Sequence, residues 1–294
     1  MTAKIIDGKK IAAGIKQHLK KDVDELKQRG CPPSLAVVLV GENPASRIYV
    51  KMKSRACEEL GIHSQTIDFP ADLSQEHLLA SIAELNEDDR VHAILVQLPL
   101  PAHIDENRVI NAVTPEKDVD GFHPENRGKL VAGEKTFVPC TPLGVHEMLL
   151  RSDIDPAGKH VVIVGRSKIV GLPLSAIFVQ KKPGANATVT VCHTGTRDLS
   201  EITSQADILI AAMGRPEVIT ADMIKHGAVV IDVGVNRVED AAAEKGYRIV
   251  GDVEFDSVVE KAAAISPVPG GVGPMTIAML MQNTVQAAKQ FMRQ

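Results

Sequence analysis

The stretch VVIVGRSKIVG, residues 161–171, decides the fold of the second half of the chain. Its β-branched apolar run predicts a buried strand, and Gly165 opens a turn that leads into a helix. A turn of this kind can bring backbone N–H groups and a helix N-terminus to a pyrophosphate. The G-x-G-x-x-G pattern is not met, because Ser167 replaces the second glycine and Gly171 comes one residue late. A tight turn without a ligand is therefore the alternative.

The same alternation of short apolar runs and helical segments extends along the chain. Strands are predicted at Ser34–Val40, Gln65–Asp68, Ala93–Gln97, His160–Val164, Ala187–Cys192, Asp207–Ala211 and Ala228–Asp232. Helices are predicted over Asp7–Lys27, after Pro44, over Ser74–Leu85 and over Met275–Met292, with Pro274 in a first-turn position. This order predicts an α/β fold with parallel strands and helices on both faces.

The length of 294 residues predicts two domains. Residues 118–142 are rich in Gly, Pro and polar residues, so the boundary is placed at the end of this segment. Residues 1–141 then form the first domain. Residues 142–273 form a Rossmann-like, dinucleotide-binding domain, and residues 274–294 form the closing helix.

Composition argues against several classes of function. A net charge of −4 and 3% aromatic residues without Trp disfavour nucleic-acid binding. The four cysteines are widely spaced, so reduced thiols are expected rather than a zinc site. Asp118 and Asp120 have no third ligand nearby, so no metal site is expected. Without a signal-peptide pattern or an apolar run of ~18 residues, a soluble cytoplasmic protein that binds no membrane is expected.

The segment after the strand 187–192 indicates which dinucleotide is used. An NAD enzyme would place a carboxylate here for the ribose 2′-hydroxyl, but this chain has His193 and Thr194. Arg166, Thr194 and His193 could instead receive a 2′-phosphate. NADP is therefore predicted over NAD, although His193 alone could equally be an ordinary surface histidine.

The helix after Pro44 carries an unusual lysine. Its helical projection predicts one broad apolar arc formed by Ile48, Val50, Met52, Ala56, Cys57 and Leu60. Tyr49 and Lys53 fall inside this arc. Burying an ammonium costs several kcal/mol unless it is paired or loses its proton. The alternative is a lysine that extends past its neighbours to solvent.

Five separated segments resemble one enzyme family. They are the Tyr49…Lys53 helix, VQLPLP at 96–101, PEKDVDGF at 115–122, GRSKIVG at 165–171 and PVPGGVGPMT at 267–276. Together they resemble the bifunctional methylenetetrahydrofolate dehydrogenase/methenyltetrahydrofolate cyclohydrolase family, and the likeness runs over essentially the whole chain. The resemblance implies a cytoplasmic homodimer of one-carbon metabolism, including purine biosynthesis. Its subunit would have a folate-binding first domain to which the C-terminal helix returns, an NADP-binding second domain, and the folate in the cleft between them.

The resemblance also implies roles for residues. Tyr49 would stack on the pterin, Lys53 and Gln97 would form the catalytic pair with Tyr49 beside them, and Asp120 would hold the pterin N–H groups. Further substrate contacts would come from Leu98, Pro99, Gly270 and Gly271. The cofactor would contact Gly165, Arg166, Ser167, Gly171, His193, Thr194, Val235, Gly273 and Thr276.

The reaction makes these roles chemically reasonable. Loss of hydride leaves a cation stabilised by two nitrogens, so the first step needs mainly positioning. The second step adds water, so a group must accept a proton and later protonate a nitrogen. Lys53 qualifies if burial favours its neutral amine. Gln97 could instead be a strand-end amide, Asp120 a turn cap and Tyr49 a half-buried ring. The alternative functions are an NADP-dependent dehydrogenase of another small metabolite and a non-catalytic nucleotide-binding module.

Overall fold

The computed structural model describes residues 2–243 and 246–293, so Met1 and Gln294, at the ends of the predicted domains, lie outside it. The helices are α1 Gly8–Gln28, α2 Pro44–Leu60, α3 Gln75–Glu87, α4 Glu106–Ala112, α5 Pro124–Ala132, α6 Cys140–Leu150, α7 Gly171–Phe178, α8 Leu199–Thr203, α9 Phe255–Val258 and α10 Val272–Phe291. The strands are β1 Lys4–Ile5, β2 Ser34–Val40, β3 His63–Phe69, β4 Ala93–Val96, β5 His160–Val164, β6 Thr188–Cys192, β7 Ile208–Ala211, β8 Val229–Asp232, β9 Asn236–Glu239, β10 Tyr247–Val250 and β11 Ala264–Ile265. The α/β class predicted from the sequence is confirmed.

The described residues form two compact units. Unit 1 contains residues 2–12 and 141–276, and unit 2 contains residues 13–140 and 277–293. The sequence prediction put residues 1–12 in the other domain. Residues 2–12 group with unit 1 because β1 pairs in parallel with β11, at Lys4–Ala264 and Ile5–Ile265. A two-residue strand is too short to show an apolar pattern in the sequence.

Unit 1 is built on a six-stranded parallel sheet in the order β1-β11-β8-β7-β5-β6. The chain passes from β5 to β6 on one side and then to β7 on the other side of β5. Parallel sheets bind ligands at such a switch point, beyond the carboxyl ends of the strands. Val162, Val164, Leu209, Ala211 and Val230 lie at alternate positions of three neighbouring strands and form the core of one face.

Unit 2 contains a three-stranded parallel sheet in the order β3-β2-β4. Every residue of central strand β2 is buried, whereas edge strand β3 is half-exposed. On one face of the sheet Val38 and Val40 belong to the same core as Leu78 and Ile82 of α3. The strand β4 ends at Val96, and the backbone N–H of Gln97 still donates to Val38 O at 2.8 Å.

Some elements are not evident from the sequence. Helix α5 occupies part of the segment 118–142, for which the sequence analysis predicted no helix. His123 caps its N-terminus, and Gly133 ends it with φ 76°. β9 and β10 pair antiparallel in a separate two-stranded sheet of unit 1. In the part of the chain that the structure describes, no helix is long and apolar enough to cross a bilayer.

Candidate active site

The buried face of α2 is narrower than the sequence projection predicted. Ser46, Val50, Lys53, Ala56, Cys57 and Leu60 are its buried residues. Ile48, Tyr49 and Met52 are 61%, 41% and 46% exposed, so their assignment to the apolar arc is wrong. At ~100° per residue, Ile48 and Met52 belong to a stripe beside the packed face rather than on it. Tyr49 therefore presents an exposed ring one helical turn before a buried lysine.

Lys53 is paired inside unit 2. It is 8% exposed, which excludes the alternative of a side chain extended to solvent. Its Nζ donates to Oε1 of Gln97 at 3.0 Å, and Nε2 of Gln97 donates to the carbonyl of Leu98 at 2.7 Å. Because the backbone of Gln97 is fixed to β2, its amide holds the lysine amine at a defined position. A lysine amine can donate up to three hydrogen bonds, so the bond to Gln97 uses only part of its capacity.

Asp120 lies close to this pair. Burial raises the pKa of the Asp120 carboxyl, the charge of Lys53 lowers it, and the neighbouring Asp118 raises it further. Sγ of Cys140 donates to the carbonyl of Val119 at 3.4 Å, and burial, followed by the charge of the nearby Asp120, raises the pKa of Cys140 well above its ordinary value. The structure therefore brings together Lys53, Gln97 and Asp120, which are far apart in the sequence.

The carboxylate of Asp118, unlike that of Asp120, is held by hydrogen bonds from the start of α5. Its Oδ2 accepts from the backbone N–H of His123 at 2.8 Å and from Nδ2 of Asn126 at 2.9 Å. Burial is the largest influence on its pKa, which is raised although these hydrogen bonds act in the opposite direction. Asp118 thus caps the turn before α5, the role that the sequence had left open for Asp120.

Leu98 and Pro99 follow Gln97 at the end of β4. Leu98 is half-buried and Pro99 is exposed, and the peptide bond between them is cis. Their backbone continues from the carbonyl that fixes the Gln97 amide. The segment that was predicted to contact substrate is therefore continuous with the Lys53–Gln97 pair.

The glycine turn of unit 1 lies at the switch point between β5 and β7. Gly165 has φ 142°, and a Cβ atom there would collide with the carbonyl of Ala212. A Cβ at Gly171 would collide with the carbonyl of Gly165. Ser167 Oγ accepts from the N–H of Val170 at 3.1 Å, just before α7. The two glycines thus permit a close turn whose exposed residues, Arg166 and Ser167, face outward before a helix N-terminus.

The turn after β6 is held by its own side chains. The N–H of His193 donates to Thr196 Oγ1 at 2.8 Å, and Nδ1 of His193 accepts from the N–H of Gly195 at 3.0 Å. Because Nδ1 is the acceptor in this hydrogen bond, Nε2 is the ring nitrogen that can donate to another partner. Thr194 is exposed beside it. Val235 is 54% exposed and lies directly before β9.

The predicted glycine loop 269–273 also belongs to unit 1. Gly270 has φ 112°, and its carbonyl accepts from the N–H of Lys9 at 3.1 Å. A Cβ at Gly271 would approach the carbonyl of Pro267 to 2.5 Å. Gly273 is exposed at the start of α10, and Oγ1 of Thr276 lies 2.9 Å from Oγ1 of Thr141. Backbone atoms are accessible where this loop turns into the helix.

Sequence reasoning missed two side chains beside Asp120. One is Cys140, described above, which the sequence suggested only as a plain reduced thiol. The other is Asn283 on α10, whose Nδ2 donates to the carbonyls of Val119 at 2.8 Å and Val138 at 3.1 Å. An amide among the apolar positions of the last helix was the available signal, because a buried amide needs partners.

Comparison with known proteins shows which families and relatives this chain resembles. Residues 6–120 match the family of the tetrahydrofolate dehydrogenase/cyclohydrolase catalytic domain, and residues 139–292 match its NAD(P)-binding domain. A relative from Moorella thermoacetica, described as bifunctional protein FolD, is 58% identical over 290 residues, covering 99% of this chain and 100% of the relative.

Two solved structures are similar over nearly their whole length. The bifunctional enzyme FolD, methylenetetrahydrofolate dehydrogenase/cyclohydrolase, from Campylobacter jejuni is 50% identical with a TM-score of 0.93, covering 98% of this chain and 99% of that one. The methylenetetrahydrofolate dehydrogenase-cyclohydrolase from Trypanosoma brucei, complexed with NADP cofactor and an inhibitor, is 39% identical with a TM-score of 0.94 and full coverage of both chains.

Proposed function

This chain belongs to the tetrahydrofolate dehydrogenase/cyclohydrolase family, and we propose that Lys53 and Gln97 are the centre of its chemistry. The protein is an NADP-dependent methylenetetrahydrofolate dehydrogenase and methenyltetrahydrofolate cyclohydrolase of one-carbon metabolism. It oxidises 5,10-methylenetetrahydrofolate to 5,10-methenyltetrahydrofolate and hydrolyses that product to 10-formyltetrahydrofolate. The observation that carries the residue assignment is the hydrogen bond of 3.0 Å between the buried Lys53 Nζ and Gln97 Oε1.

In the oxidation, the side chains have a positioning role. The methylene carbon gives up a hydride, NADP+ supplies the acceptor, and the two substrate nitrogens share the positive charge that results. Asp120 holds the pterin by accepting from its amino and ring N–H groups, and Tyr49 covers one face of the ring. The 41% exposure of Tyr49 in the free protein supports this, because an exposed ring is available for stacking. The step moves no proton, so it needs no base.

In the hydrolysis, Lys53 moves a proton. Water adds to the cationic carbon while Lys53 Nζ accepts one proton from it. The hydroxyl group on that carbon then loses its remaining proton to solvent and becomes the formyl C=O while the bond from the carbon to N5 breaks. N5 takes the electron pair of that bond and a proton returned by Lys53. Because Gln97 Oε1 already accepts from Nζ, the lysine amine is held in place for both transfers. One proton is released to solvent over the whole reaction.

The residues of unit 1 fit a dinucleotide. A Cβ at Gly165 would collide with the carbonyl of Ala212, and a Cβ at Gly171, the first residue of α7, would collide with the carbonyl of Gly165, so this close turn before the helix N-terminus needs both glycines. Arg166, Thr194 and Nε2 of His193 are the donors assigned to the 2′-phosphate side of NADP, and Ser167 is assigned to the cofactor. Val235, Gly273 and Thr276 are assigned to the remaining cofactor contacts, and Leu98, Pro99, Gly270 and Gly271 to the folate.

Three further assignments rest on family membership. The chain is proposed to act as a homodimer, in the cytoplasm, and to supply one-carbon units to purine biosynthesis. It is also proposed to bind neither nucleic acid nor membranes, which agrees with its net charge of −4.

The test of the proposed function is a two-stage absorbance assay. Methylenetetrahydrofolate and NADP+ are mixed with the protein, and NADPH and methenyltetrahydrofolate are followed together. We expect the methenyl species to appear and then to decay faster than it does without protein. An NADPH signal without faster decay of the methenyl species would show dehydrogenase activity without cyclohydrolase activity. The absence of any NADPH signal would refute the proposal.

A further inference from the structure

A buried carboxylate organises the loops at the carboxyl edge of the unit 1 sheet. Asp252 is fully buried and lies two residues beyond the end of β10. Its Oδ2 accepts from the N–H groups of Met213 at 2.5 Å and Gly214 at 2.9 Å. Its Oδ1 accepts from the N–H of Arg215 at 3.0 Å and from Nδ2 of Asn236 at 2.8 Å. Four donors from two separate segments thus converge on one side chain.

A second carboxylate holds Asp252 in place. Asp232 Oδ1 accepts from the N–H groups of Asp252 and Gly234, both at 2.9 Å, and its Oδ2 accepts from Val253 at 3.0 Å. Its own N–H donates to Ser266 Oγ at 2.8 Å, just before the predicted glycine loop. Burial raises the pKa of Asp232 to about 6, against the backbone hydrogen bonds that lower it. The two carboxylates therefore connect the ends of β7, β8 and β11.

The loop clamped by Asp252 forms one wall of the switch point. It follows β7, which is the neighbour of β5 on the side opposite β6. Ala212 starts this loop, and its carbonyl lies so close to Gly165 that a Cβ there would collide with it. Residues 212–215 and the glycine turn are thus the two sides of the place where a parallel sheet of this order receives its ligand.

We propose that Asp252 is a positioning residue for the dinucleotide, because its carboxylate fixes the backbone of Met213–Arg215 and the side chain of Asn236 at the cofactor site. The inference rests on the proposed NADP-dependent function. A carboxylate suits this position because both its oxygens are acceptors. In either orientation, the NH2 group of an asparagine would lie opposite two N–H donors, so the loop would have to move.

The central experiment compares Asp252→Asn with Asp207→Asn. Asp207 also uses its two oxygens, for the N–H of His160 at 2.9 Å and for Lys225 Nζ at 2.6 Å, but it lies at the amino edge of the same sheet. NADPH affinity is measured by fluorescence titration without folate. We expect Asp252→Asn to weaken it by about tenfold or more and Asp207→Asn to change it by less than about twofold.

A second measurement separates positioning from general damage. Cyclohydrolase activity is assayed on methenyltetrahydrofolate without cofactor. This activity is the control because its proposed residues, Lys53 and Gln97, lie in unit 2, whereas Asp252 lies in unit 1. We expect Asp252→Asn to raise the KM for NADP+ while leaving this activity within about twofold of the unchanged protein. The NADPH titration reports on the site even if the protein proved inactive as a dehydrogenase, so failure of the proposed function would be recognised separately.

Asn236→Ala provides a milder variant, because it removes a single donor from Asp252. We expect a smaller but measurable loss of NADPH affinity and an unchanged unfolding midpoint. The inference is overturned if the two aspartate variants weaken NADPH binding equally, or if cyclohydrolase activity falls by the same factor as dehydrogenase activity. Should Asp252→Asn fail to fold, unchanged NADPH affinity in Asn236→Ala would overturn it as well.

Discussion

Replacing Lys53 by methionine separates the two reactions. Methionine keeps an unbranched side chain of similar length in a position that is 8% exposed, so the packing of α2 is largely preserved. The change removes the donor to Gln97 Oε1, which lies 3.0 Å from Nζ. Leaving that acceptor without its partner costs about 1–3 kcal/mol of folding free energy, at the low end because Gln97 is only half-buried.

The two activities should fall by different factors. General acid–base catalysis contributes about 10²–10⁴ in rate, so the cyclohydrolase should lose about that factor, equivalent to about 3–5 kcal/mol of barrier. Hydride transfer moves no proton, and the dehydrogenase should lose less than about tenfold through poorer placement of the folate. The ratio of the two rates should therefore change by about tenfold or more.

The assay follows methenyltetrahydrofolate and NADPH in the same cuvette. We expect the methenyl species to accumulate to nearly the amount of NADPH formed, with only its slow decay in buffer. Lys51→Met is the matched control, because Lys51 lies two residues away on the exposed side of α2. If Lys53→Met lowers both rates by one factor, Lys53 only binds substrate, and Tyr49 or a water network would have to supply the base.

The other predictions concern the cofactor, the pterin, a buried carboxyl and assembly. Arg166→Ser should weaken NADP+ binding far more than NAD+ binding in parallel titrations; equal losses would mean that Arg166 does not contact the 2′-phosphate. Asp120→Ala should impair both activities through folate affinity, by about 2–5 kcal/mol if a buried partner is left unpaired, and unchanged folate binding would remove this role. The pKa of Asp232 is raised to about 6, so folding favours its protonated form, and this contribution to stability is greatest below pH 4 and is lost as pH rises through 6. Unfolding measured against pH should show this loss in the wild type, up to about 3 kcal/mol, but not in Asp232→Asn. Light scattering at micromolar concentration should give twice the chain mass, and a monomer mass would refute the homodimer.

Buried strands were the most predictable part of the fold. The bounds of β2 agree with the prediction because all seven residues are apolar or small and lie in the centre of a sheet. The face of α2 was predicted less well. Ile48 and Met52 are as apolar as residues of the packed face, and composition alone cannot show where a neighbouring sheet ends. Helix α5 was missed because Leu130 is its only large buried apolar residue, so no periodic pattern is visible.

The residues of the candidate site were predictable to different degrees. The unusual position of Lys53 followed from helical spacing, but its pairing with Gln97, 44 residues later, could be expected only from the family resemblance. Asp232 and Asp252 stand at the ends of separate strands and gave no recognisable motif. Their convergence depends on the order of strands in the sheet, which alternation of apolar runs does not specify.

The contact between Gly165 and Ala212 limits which residues can mutate when the preference for NADP or NAD changes during evolution. Any side chain at position 165 would collide with Ala212 and push β5 away from β7. A mutation there would therefore be lost because the protein misfolds, whatever its effect on cofactor binding. Arg166 and Thr194 are exposed and can be exchanged at little cost to folding. A lineage that abandons NADP for NAD would therefore retain both glycines of the turn and diverge at the exposed residues beside them.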